Sequence, residues 1–144
     1  ASKLQPITTR HTQLSRLNRE RVSANVIEAA EQCGILSLAA VAAPLPLERY
    51  LSERDERRLL VFCDEAAGIA DPLAALKAAG TGGAGIDVLI GPEGGFADEE
   101  RESLLRQPHS LRLCLGPRIL RADTAGVAAL ALVQAALGDW SGPG

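Results

Sequence analysis

Ile90-Gly91-Pro92-Glu93-Gly94-Gly95-Phe96 and Leu115-Gly116-Pro117-Arg118-Ile119-Leu120-Arg121 are the segments of this chain whose residue types could do chemistry. In the first, glycines let the backbone come close to a ligand and proline stiffens the turn. Exposed main-chain N–H and C=O groups can then read the edge of a planar base. In the second, Arg118 and Arg121 bracket an apolar pair, which suits a pocket where a ring packs while charge is stabilised nearby. Taken singly, the first segment reads as a tight strand-to-helix turn and a lone arginine in the second as a surface charge. Both follow an apolar run and lead into a helix, however, and two such loops at one end of a parallel sheet form a single cleft.

The elements that must hold these loops follow from periodicity and punctuation. Leu4 to Thr9 reads as a short strand, with Pro6 marking an edge or a bulge. Asn18 to Cys33 carries Val22, Val26, Ile27 and Ala30 at helical spacing and stops at Gly34. A strand over Leu38 to Ala42 is ended by Pro44 and Pro46, a short helix covers Leu47 to Glu53, and Arg58 to Cys63 is a strand. Asp71-Pro72 opens a helix that runs to Ala79. Gly80 to Gly85 is a connector, because no Gly-Lys-Ser/Thr follows to make it a phosphate loop. Ile86 to Ile90 is a strand covered on both faces, and Asp98-Glu99-Glu100 puts negative charge on the next helix's first turn. After a strand over Leu111 to Leu115, Asp123-Thr124 opens a helix from Ala125 to Leu137, ended by Gly138. That helix is apolar all round, so it is buried on every side or packs against another subunit. The alternation defines an α/β fold with a mainly parallel sheet and helices on both faces.

Bulk properties narrow the function. The 144 residues, 47% of them apolar, fit one domain with a real core. A net charge of −3 argues against gripping nucleic acid by bulk electrostatics. Lys3, Arg10, Arg16, Arg19 and Arg21 against Glu20, Glu28 and Glu31 read as a solvated helix face. Cys33, Cys63 and Cys114 lack metal or redox spacing and read as reduced, buried cysteines of a cytosolic protein. His11 and His109 stand apart, so no metal is expected. No apolar run reaches the roughly 18 residues of a membrane span. The chain neither begins with Met nor contains one, and is expected to be a piece of a longer protein.

The two loop motifs together resemble the signature of the RsmE methyltransferases, of the SPOUT class. Glu28-Ala29-Ala30-Glu31-Gln32-Cys33-Gly34, Thr124-Ala125 and Gly138-Asp139 add secondary matches across most of residues 1–140. The chain departs from the family where Ala122-Asp123 replaces the usual Thr-Glu, and where Ile35 replaces an Arg. The resemblance implies a SPOUT domain over 1–140, a tail over 141–144 and a C-terminal trefoil knot. The N-terminal PUA-like RNA-binding domain, with the catalytic domain's first strand and helix, is expected to lie outside this chain. The activity implied is methylation of N3 of one uridine in 16S ribosomal RNA of the small subunit, by a cytoplasmic homodimer that pairs through the last helix.

S-adenosylmethionine is the implied cofactor, bound by loops at Phe62 to Glu65, Gly91 to Gly95 and Leu115 to Leu120. Its residues would be Cys63, Asp64, Gly91, Pro92, Glu93, Gly94 and Gly95, then Leu115, Gly116, Arg118, Ile119 and Leu120. Arg118 or Arg121 would stabilise negative charge on the uridine carbonyls, and Glu93 or Asp123 could take the N3 proton. Glu93 could instead fix its loop through backbone hydrogen bonds. RNA contacts fall to Arg10, Glu31, Gln32 and Arg121. The competing reading is a non-catalytic nucleotide-binding or dimerisation module.

Overall fold

Proline cannot donate to a strand ladder, and the strand expected over Leu4 to Thr9 is split there into β1 (Lys3–Leu4) and β2 (Ile7–Thr8). A computed structural model of the chain describes residues 1–12, 18–68, 71–81 and 83–141. Arg16, Gly82 of the connector and residues 142–144 of the tail lie outside the described residues. Helix α1 (Arg19–Gln32) starts at Asn18, whose side chain accepts from the Arg21 N–H at 3.0 Å. It ends at Cys33, before Gly34 at φ +64°. β3 (Ala40–Val41) and β4 (Leu45–Pro46) pair in parallel with β1 and β2 respectively, and α2 (Leu47–Glu53) follows directly. The expected strand over Leu38 to Ala42 is thus only two residues long. Residues 1–8 and 13–52 form one compact unit, and residues 9–12 and 53–144 a second.

The second unit carries β5 (Leu59–Cys63), α3 (Pro72–Ala79), β6 (Ile86–Ile90), α4 (Asp98–Leu105), β7 (Ser110–Leu113) and α5 (Ala122–Leu137). Its sheet has the order β6-β5-β7, all parallel. All five residues of β5 are buried, as an apolar central strand requires. Alternation divides them between two faces. Leu59 and Val61 join Leu76 of α3, Leu113 and Val133 of α5 in one cluster. Toward the other face, Phe62 meets Phe96 edge-on, with centroids 6.3 Å apart. Leu104 of α4 is fully buried as well. Helices therefore cover both faces of the sheet.

One expectation needs correction. β6 reads as a strand buried on both faces, yet only Leu89 is buried, and β6 is an edge strand of this sheet. Helix α5 buries Ala125, Ala129 and Val133 along one side. Val127 and Leu130 are 72% and 50% exposed, so of the two alternatives for this helix only burial on every side is excluded.

A second correction concerns Cys33, which is exposed: it caps α1 at a helix end, where apolar character alone does not secure burial. Cys63 and Cys114 are buried, Cys114 just beyond the end of β7, and burial pushes the Cys63 thiol up to about 12. Native chain treated with a maleimide at neutral pH should therefore be labelled at Cys33 alone, and at all three cysteines after denaturation. Peptide mapping that found Cys63 modified in the native state would contradict this. Among the described residues no helix is long and apolar enough to cross a membrane.

Candidate active site

Cys63 is in register with both Ile90 and Leu113, so the three strands of the second unit end level with one another. The segments that leave them line one open cleft. Cys63 to Glu65 line it after β5, Ile90 to Glu93 after β6, and Leu115, Gly116 and Arg118 to Leu120 after β7. Ala122 and Ala125, in the first turn of α5, complete the wall. Two features shape the glycine loops. Gly116 adopts φ +109°, which side chains disfavour, and Gly95 adopts φ +69° while its N–H donates to the Pro92 carbonyl at 2.9 Å.

The expected site residues separate into groups. Of the four expected catalytic side chains, Glu93 and Arg118 line the cleft. Arg121 and Asp123 do not; they face each other at 3.7 Å at the start of α5. Gly94 and Gly95 stand behind the lining. His11 Nδ1–H donates to the Gly95 carbonyl at 3.1 Å, and a Cβ on Gly94 would come 3.2 Å from His11 Cβ. Arg10 is held at the N-terminus of α4, its N–H donating to Glu100 Oε1 at 2.8 Å and its guanidinium 3.4 Å from Glu99. Glu31 and Gln32 are exposed on the last turn of α1, in the other unit.

Asp64 lines the cleft, but its carboxylate is engaged elsewhere. The side chain is fully buried and accepts from Arg101 Nε at 2.7 Å and Arg112 Nε at 2.9 Å. Burial pushes this carboxyl up; hydrogen bonds from Arg101 and the Ala66 N–H, with the charge of Arg112, outweigh that and hold it below the ordinary range. A depressed folded-state value stabilises the fold above the unfolded value near 3.8. That stabilisation is lost as pH falls through the lower folded value. Urea titrations from pH 6 to pH 2 should show a stability gap between wild type and Asp64→Asn that narrows at the acid end. A gap independent of pH would refute the assignment.

Sequence reasoning missed the supporting residues. Ala122 and Ala125 carry no chemical signal, and His11 reaches Gly95 across 84 positions. Arg112, a charge inside an otherwise apolar strand, was the available clue that a buried partner existed. Among the described residues no group of three or more His, Cys, Asp or Glu side chains could hold a metal ion.

A cleft at the carboxyl edge of a parallel sheet, walled by glycine-proline loops, is where open α/β domains bind their ligands. The chain belongs to the RNA methyltransferase domain family, whose model matches residues 1–134. It is 30% identical over 133 residues to the ribosomal RNA small subunit methyltransferase E of Rickettsia conorii, covering 92% of this chain and 53% of that protein. The crystal structure of a ribosomal RNA small subunit methyltransferase E from Neisseria gonorrhoeae, bound to S-adenosyl methionine, matches with a TM-score of 0.84. Identity there is 25%, over 97% of this chain and 57% of that one. A putative methyltransferase from Legionella pneumophila, in complex with the cofactor SAM, matches at 28% identity and a TM-score of 0.67, over 94% of this chain and 55% of that one. The chain spans about half the length of the curated relatives it matches.

Proposed function

We propose that this chain is the catalytic domain of a methyltransferase that uses S-adenosylmethionine to modify N3 of a uridine in 16S ribosomal RNA of the small subunit. Residues 1–140 are read as one SPOUT domain with a C-terminal trefoil knot and 141–144 as its tail, acting in the cytoplasm. The observation that carries this reading is the single cleft where the Gly91–Glu93 and Leu115–Leu120 loops meet Cys63–Glu65. Its residues fit the cofactor: the main chain of two glycine-proline loops can read an adenine edge, and Ile90, Leu115, Ile119, Leu120 and the two alanines give apolar walls. The carboxylates of Glu65 and Glu93 suit the ligand's positive charges.

Bound S-adenosylmethionine would supply a methyl group to a nucleophile by in-line displacement, a reaction that chiefly demands positioning. The protein's part is to hold the uridine ring edge toward the donor and to compensate the charge left when N3 loses its proton. Arg118 is exposed and lines the cleft, which supports assigning it to stabilise the ring carbonyl oxygens. Glu93 lines the same cleft and is the candidate acceptor of the proton. Arg121 and Asp123, paired beside the cleft, are assigned to RNA contact and to holding the start of α5. Arg10, Glu31 and Gln32 remain proposed RNA contacts.

Exposed Val127 and Leu130 on α5 support pairing with a second copy. The test of function is twofold: calorimetry with S-adenosylmethionine, and methylation of 30S subunits by the full-length protein. Binding followed by methyl transfer to one uridine is expected. Absence of heat at millimolar ligand would overturn the reading, and binding without transfer would leave the non-catalytic module.

A further inference from the structure

One carboxylate ties the turn after β5 to α4 and to β7. Asp64 Oδ2 accepts from Arg101 Nε on α4 at 2.7 Å, and from Arg112 Nε and Nη2 on β7 at 2.9 and 2.8 Å. Its Oδ1 accepts from the Ala66 N–H at 3.1 Å, closing the turn after β5. Arg101 extends the connection, because its Nη2 donates to the Phe96 carbonyl at 3.2 Å and its Nη1 to Asp98 at 2.8 Å. Asp64 is part of the first loop, Phe96 closes the second, and Arg112 lies just upstream of the third.

Such an arrangement is hard to explain by stability alone. Asp64 is fully buried and the two arginines are only 20% and 27% exposed. Desolvating three charged groups offsets most of what their attraction returns, and an apolar trio of similar volume often does as well. Guanidinium forks, by contrast, fix direction, since each N–H has one place to point.

We propose that Asp64, Arg101 and Arg112 form a positioning cluster that sets the mutual spacing of the three cleft loops and so the affinity for a nucleoside sulfonium ligand. The cluster touches no reacting atom; it acts through the loops. This inference rests on the functional reading above.

The decisive variant is Arg101→Lys in the full-length protein. It keeps the charge but cannot reach Asp64, the Phe96 carbonyl and Asp98 together. Its Kd and KM for S-adenosylmethionine should rise roughly tenfold, with the KM for RNA unchanged. Amide exchange should quicken in 64–67 and 94–96 while the Leu60 to Phe62 amides keep their protection. Arg106→Lys, in an exposed pair with Glu102 on the same helix, should match wild type in both readouts. A purely structural role would weaken the core amides along with the loops and spare the ligand KM at temperatures where the variant is folded. Wild-type affinity and exchange in Arg101→Lys would overturn the proposal, whether or not Asp64→Asn folds. Should the wild-type protein itself bind no S-adenosylmethionine, the functional reading falls, and the exchange comparison alone decides the cluster.

Discussion

Replacing Arg118 with alanine is expected to slow methyl transfer by about 10²- to 10³-fold, with the fold and the cofactor Kd nearly unchanged. Arg118 is exposed, so truncating it opens no core cavity. On the proposed mechanism its value arises only as the uridine ring gains negative charge, which would place the loss in kcat rather than in binding. A hydrogen-bond donor aimed at developing charge contributes about 3–4 kcal/mol to such a transition state once bound ligand and RNA exclude water. Arg118→Lys should recover part of the rate, because it restores charge without the planar fork. Arg121→Ala should cost less, about tenfold, since Arg121 lies outside the lining and faces Asp123. Single-turnover assays on 30S subunits measure these rates. An Arg118→Ala enzyme within about twofold of wild type would remove this residue from the mechanism.

The largest stability effect should come from Phe62→Ala. Phe62 is fully buried in the central strand of the sheet and holds the ring of Phe96 edge-on at 80°. Losing the ring forfeits its transfer free energy and leaves a cavity that packed strands cannot close, for about 3–5 kcal/mol. Against a total of about 5–15 kcal/mol for an ordinary domain, that brings the fold near its limit. Phe62→Leu should cost less, about 1–2 kcal/mol, because most of the volume remains. Urea unfolding followed by far-ultraviolet circular dichroism gives both values. A Phe62→Ala loss under about 1 kcal/mol would mean that the cavity collapses or that Phe96 moves in. Because Phe96 closes the Gly91–Phe96 loop, the same variant should also weaken cofactor binding.

Local signals in the sequence carried far, and long-range ones did not. Asp71-Pro72 and the apolar run at Ile86 set α3 and β6 to the residue, since capping and periodicity are properties of neighbours. The two glycine-proline loops could be placed at one edge because parallel strands joined by helices must all point the same way. Strand order was another matter. Nothing in Ile86 to Ile90 says that it lies at an edge, and its apolar run overstated its burial. The pairing of Asp64 with Arg101 and Arg112 spans 37 and 48 positions and has no periodic signature. Only the oddity of a charge within an apolar strand announced it. Cys33 failed for a related reason, since hydrophobicity does not say which end of a helix meets water.

The level strand ends have a further consequence for biosynthesis. The cleft draws on Cys63, then Ile90, then Leu115, and is completed by Ala122 and Ala125, so its walls are made in chain order with the last in α5. A chain ending before α5 holds all three loops but lacks Ala122 and Ala125, which complete the wall. If the cleft holds S-adenosylmethionine as proposed, its capture should require α5 as well as the three loops.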